Sequence, residues 1–157
     1  MHKYIIVALF MLCNISVAQT LQDYMEFVER WEGRKHTAYI DTMGHRTIGV
    51  GHRLFDENVV RLSDNQVTRI LAKDTLIAIS DARGLICGFD SKPSHVKLIC
   101  VDLCFNLGKT RFSKFKKTIK ACNDGDYLLM SQELIDSKWY NQVGRRSKHH
   151  VKTLEEK

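Results

Sequence analysis

A single proline and nine glycines are spread over 157 residues. No linker, low-complexity tract or repeat at a solenoid period divides the chain, so its length reads as one domain. No apolar run reaches the roughly 20 residues that a comfortable membrane span needs. No Cys-x-x-Cys pair or close Cys/His cluster occurs, which argues against a zinc site. Acidic residues are the minority: 18 Asp and Glu stand against 24 Lys and Arg, for a net charge of +6. A basic surface favours nucleic acid, anionic membrane or an acidic cell-wall polymer, and the sign alone does not choose among them. A merely solvated basic face reads equally well. With 44% hydrophobic residues, a chain of this size buries a core without a metal or a disulfide.

What is present begins with an export pattern. His2 and Lys3 form a short positive start, Tyr4 to Leu12 is unbroken apolar sequence, and Ser16-Val17-Ala18 supplies the small residues of a cleavage site. This predicts a signal peptide over 1–18, a mature single domain over 19–157, and a periplasmic or extracellular location without stable membrane insertion. An uncleaved anchor is the other reading. Cleavage removes Cys13, a poor lipidation site after bulky Leu12, and leaves Cys87, Cys100, Cys104 and Cys122. An even number in an exported chain permits one or two disulfides. Cys100 and Cys104 share a helix face, where a bond would strain the helix, and Cys104 reads as a small buried hydrophobe.

Leu21, Met25, Val28 and Trp31 follow helical spacing, and Gly33 ends the helix after Glu32. Thr37-Ala38-Tyr39-Ile40 and Thr47-Ile48-Gly49-Val50-Gly51 are β-prone, with a turn at Asp41-Thr42-Met43-Gly44 between them. From the capping box Ser63/Gln66 onward the pattern is helical. Helices are predicted from Ser63 to near Gly84, from Pro93-Ser94 through Phe105, and over 112–122, 126–135 and 138–154. The fold class is α+β: one helix, a small antiparallel hairpin lobe, then a mostly helical C-terminal lobe.

Three polar residues stand where stability does not ask for them. Glu32 sits at the negative end of a helix dipole, Asp41 at the mouth of the turn, and Thr47 at the start of the returning strand. Two carboxylates flanking a cleft are the equipment of glycoside hydrolysis, and a hydroxyl beside the second can hold water. Singly, each has an ordinary explanation: solvated helix end, local turn hydrogen bond, β-propensity.

Their joint spacing resembles a known family, the phage-type lysozymes of glycoside hydrolase family 24. The motif reads Glu32-Gly33, Tyr39, Asp41-Thr42, Gly44 and Thr47-Ile48-Gly49-Val50-Gly51-His52. Phe105-Asn106-Leu107-Gly108 resembles the family's central-helix motif. Ser137 to Gln142, followed by Arg145-Arg146, resembles its C-terminal segment. The chain departs between His52 and Ser63, where a phage member carries a longer insert with an extra short helix. It departs again at Val143-Gly144.

The resemblance implies a lysozyme-like fold and a muramidase that cleaves the β-1,4 bond between N-acetylmuramic acid and N-acetylglucosamine. Glu32 is then the general acid, Asp41 its ionised partner and Thr47 the holder of the hydrolytic water. Inversion is implied, with carboxyl groups about 6.5–9.5 Å apart. Arg146 would pair with Glu32, His52 would pair with Asp74 in a structural role, and Phe105 would stack on sugar or pack. Trp139 reads as packing. Cys100 and Cys122 would be core neighbours, either disulfide-bonded or thiols in contact. Peptidoglycan is the expected partner, with no cofactor, metal or nucleic acid, and the chain is expected to be a monomer, open to an inhibitor or immunity protein. Two other readings are a non-catalytic peptidoglycan-binding module and a basic membrane-active protein working through the stretch 145–152.

Overall fold

A computed structural model describes residues 19–156; the expected signal peptide and Cys13 lie outside the described residues. Helix α1 (Leu21–Glu32) opens on a capping box between Thr20 and Asp23 and buries Tyr24, Met25 and Val28. The Gly33 N–H closes it on the Glu29 carbonyl at 2.8 Å, with φ +70°, so the chain turns away just after Glu32.

The expected hairpin is a three-stranded antiparallel sheet. β1 (Lys35–Ile40) pairs with β2 (Arg46–Gly49), Tyr39 opposite Thr47 and Ile40 opposite Arg46. The β-prone run ends at Gly49; Val50 and Gly51 form a turn, and β3 (His52–Arg53) returns along β2. Val60–Leu62 covers the other side of β1 through hydrogen bonds Ala38 N–H to Val60 O and Leu62 N–H to His36 O, so that edge is not left open.

Helix α2 (Asp64–Leu85) starts at the Ser63/Gln66 capping box. Its Val67 and Leu71 join Met25, Val28 and Val50 in one apolar cluster under the sheet. A larger cluster fills the helical lobe around α3 (Ser94–Leu107), which buries Val96, Ile99, Cys100, Val101, Leu103 and Cys104. Such all-round burial marks a central helix.

Two helices expected to be continuous are broken. The stretch 112–122 divides between α4 (Lys109–Phe112) and α5 (Lys116–Asp124), because Phe115 leaves helical geometry at ψ 57°. α6 (Tyr127–Ile135) follows, capped by Asp126. The stretch 138–154 divides at Gly144 (φ +57°, ψ −107°) into α7 (Lys138–Val143) and α8 (Arg145–Glu155), a bend that only glycine makes easily. Cys100 and Cys122 are core neighbours with Sγ atoms 3.8 Å apart, and all four described cysteines are free thiols. That is the thiol-contact alternative; a bond requires about 2.05 Å. Burial, the largest influence on Cys104, pushes its thiol up to about 12, which fits an inert core residue.

Candidate active site

A cleft of about 440 Å³ is lined by Glu32, Tyr39, Asp41, Thr47, Gly51, Arg53, Phe105, Asn106 and Arg111, among others. It thus unites α1, the sheet, α3 and α4. A second hollow of about 220 Å³ shares Gly51, Arg53 and Phe105 with it and runs on past His52 and Asp74. The three residues singled out for chemistry therefore face one extended groove.

Asp41 divides its two oxygens between local structure and the cleft. Oδ1 accepts the backbone N–H groups of Met43 and His45, both at 2.8 Å, which ties the turn to its own side chain. Oδ2 lies 3.4 Å from the Thr47 hydroxyl and 3.6 Å from His45 Nδ1. The His45 backbone hydrogen bond is the main reason that the carboxyl titrates below its ordinary range. The ordinary reading of a turn aspartate is thus correct for one oxygen, while the other stays available. Thr47 is buried, with its hydroxyl 3.1 Å from the His45 carbonyl.

Glu32 is held through a single oxygen. Its Oε1 accepts Arg146 Nη1 at 2.5 Å and Asn106 Nδ2 at 3.3 Å. Its Oε2 faces Gly51, where a Cβ would stand only 3.2 Å away. Asn106 is oriented in turn by Trp139, whose Nε1 donates to Asn106 Oδ1 at 2.8 Å. Trp139 is buried, so it packs as expected and also sets this amide.

Arg146 is not one charge in a basic tail. It is 6% exposed and donates Nε and Nη2 to the two oxygens of fully buried Asp102, both at 2.7 Å. His150 Nε2 meets the same carboxylate at 2.7 Å. Asp102 and His150 were not singled out from sequence. The available signal was a carboxylate inside the otherwise apolar run from Leu98 to Phe105, since a buried polar residue is the informative exception. Burial withdraws Arg146 and His150 from the basic stretch 145–152, which leaves Arg145, Lys148 and Lys152 exposed.

His52 Nδ1 stands 2.7 Å from Asp74 Oδ2, which joins β3 to α2 at the side of the groove. Phe105 lines both hollows and also packs against the two apolar clusters.

Two proteins of Dictyostelium discoideum are similar along most of their length. Probable T4-type lysozyme 2 is 24% identical over 165 residues, which covers 88% of this chain and 95% of that protein. Probable T4-type lysozyme 1 is 23% identical over 150 residues, covering 79% and 88%. The family model for phage lysozyme matches residues 29–156. That span holds the end of α1, the sheet and every later helix, and it makes the chain a member of the phage lysozyme family of peptidoglycan-hydrolysing glycosidases.

Proposed function

We propose that the chain is an exported N-acetylmuramidase that cleaves the β-1,4 bond between N-acetylmuramic acid and N-acetylglucosamine with inversion. The observation that carries this reading is the shared cleft, in which Glu32 and Asp41 arrive from different elements, Asp41 with Oδ2 free of the backbone bonds that hold Oδ1 and Glu32 with Oε2 outside the side-chain bonds that hold Oε1. Glu32 gives its proton to the glycosidic oxygen, so the bond to the anomeric carbon breaks and the leaving sugar departs as an alcohol. A water held beside both Thr47 Oγ1 and Asp41 Oδ2 attacks that carbon, and Asp41 takes the water's proton. One water is consumed per bond broken, and proton exchange with solvent resets both carboxyl groups. Asp41 is ionised at neutral pH, since the His45 backbone hydrogen bond holds its carboxyl below the ordinary range, and ionised is the form that can accept a proton.

The surroundings favour an anionic polymer. Exposed Arg53 and Arg111 line the cleft, and peptidoglycan stems carry carboxylates. The adjoining hollows suit an extended glycan better than a single sugar. The export pattern of residues 2–18 supports a location outside the cytoplasm, where such a wall lies.

Glu32→Gln and Asp41→Asn should each lower the release of reducing sugar from purified peptidoglycan by about 10²–10⁴-fold, the usual worth of a general acid or base. NMR of the first product formed by the parent should show the α-anomer. Undiminished lysis of cells by Glu32→Gln without sugar release would replace this reading with membrane disruption. A β-anomer would remove inversion alone.

A further inference from the structure

Glu32 as general acid must be protonated when it acts, yet its Oε1 lies against an arginine. An unshared guanidinium there would hold the carboxyl in its ionised, inactive form. The charge is not unshared. Two of the three donor nitrogens of Arg146 are turned away from Glu32, onto Asp102. The arrangement is a bidentate fork on a fully buried carboxylate, the strongest geometry an arginine has.

We propose that Asp102 and His150 are positioning residues of the hydrolysis: they clamp Arg146 with one nitrogen left for Glu32, and Asp102 takes up the guanidinium charge so that Glu32 can cycle through its neutral form. This rests on Glu32 being the general acid. The construction of the site supports it. His150 is fully buried, and its ring lies among Phe27, Trp31 and Trp139, with centroids 5.7, 6.2 and 5.7 Å away. Among the described residues its Nδ1 has no hydrogen-bond partner and Asp102 is its one polar tie. A buried histidine packed among aromatic rings, with its one hydrogen bond made to a carboxylate oxygen, holds that oxygen in place. Burial alone would raise the Asp102 carboxyl. The hydrogen bonds from His150 and Arg146, with the arginine charge, outweigh burial and hold it below its ordinary range. Asp102 is thus ionised at the pH of catalysis and available as a counter-charge.

The titratable and charged groups facing this chain of contacts are Glu32 and Arg30 from α1, Tyr39 from β1, Asp102 from α3, and Arg146, His149, His150 and Lys152 from α8. Asp102 is the one whose removal leaves the Arg146 charge to Glu32 alone. The test is the pH dependence of kcat/KM on purified peptidoglycan, with circular dichroism to confirm folding. Asp102→Asn should move the basic limb to lower pH by about one unit, the size of effect expected for a nearby charge, with KM close to the parent's. His150→Leu should lower kcat without changing KM, and His150→Gln, which can keep a donor at Asp102 Oδ2, should recover most of that loss. Should Asp102→Asn fail to fold, the two His150 variants decide. A basic limb superimposable on the parent's, or equal kcat losses in the Leu and Gln variants, overturns the proposal. Glu32→Gln run in the same assay separates the two ideas: if it keeps full sugar release, the assignment of the acid fails and not merely its support.

Discussion

Gly51 shows how narrowly a single residue constrains Glu32. Its φ of +70° lies in the left-handed region, and a Cβ there would approach Glu32 Oε2 to 3.2 Å. Gly51→Ala therefore combines backbone strain, about 1–2 kcal/mol for an ordinary L-residue, with displacement of the carboxyl group. Gly125, which closes α5 at φ +78° with open space around it, separates the two effects. Both alanine variants should melt a few degrees lower, since about 1 kcal/mol moves a domain of this size by roughly 2–8 °C. Only Gly51→Ala should also lose about 10–100-fold in kcat, the scale of a misplacement near 1 Å. Equal activity of the two folded variants would mean that Oε2 has room to move. Glycines, carboxylates and Thr47 were legible in sequence because their spacing is local, within 21 residues from Glu32 to His52. Asp102 and His150 were not. Asp102 reaches Glu32 through Arg146, 44 residues along the chain, and His150 joins only through Asp102, 48 residues away; no local period reports such contacts.

At the level of elements, β3 is only two residues long, so the sheet needs a tie to the helices. His52 and Asp74 provide one at 2.7 Å between β3 and α2. The Asp74 hydrogen bond is the main cause of the raised His52 pKa, against an opposing effect of burial. A raised folded-state pKa means that the folded chain binds the proton more tightly. The stabilisation is therefore complete below the unfolded value of about 6.5 and fades as pH rises through the folded one. Asp74→Asn should cost about 1–2 kcal/mol near pH 5, the low side of a charged hydrogen bond because the pair is partly exposed. The difference in melting temperature should shrink towards alkaline pH, and hydrolysis by the folded variant should persist. A pH-independent gap would assign the contact to packing, and a stable but inactive variant would make it functional. The order of elements was legible from periodicity and caps: Ser63/Gln66 opens α2 where the pattern says it does. The breaks at Phe115 and Gly144 were not, because the flanking residues keep their helical character. The bend at Gly144 follows from where α8 must pack to bring Arg146 to Glu32, which is a tertiary demand.

Across the whole molecule, the net charge of +6 meets a substrate that is a charged network rather than a diffusing solute. Long-range attraction raises the encounter rate with such a surface and leaves the chemistry after docking unchanged. Salt separates the two. Raising ionic strength from about 0.01 M to about 0.15 M shortens the screening length from roughly 30 Å to roughly 8 Å. The exposed charges, Arg53 and Arg111 at the cleft among them, are then screened at approach distances. Arg146, buried against Asp102 and Glu32, is screened much less. The expected result is a fall in kcat/KM of about 10-fold or more on intact peptidoglycan, within the range seen for electrostatic steering, with kcat at saturation nearly unchanged. A short glycan lacking peptide stems should show a much flatter dependence, because it carries fewer carboxylates to attract. A parallel fall in kcat on both substrates would instead place the salt-sensitive step inside the cleft, and the basic surface would then have no part in reaching the wall.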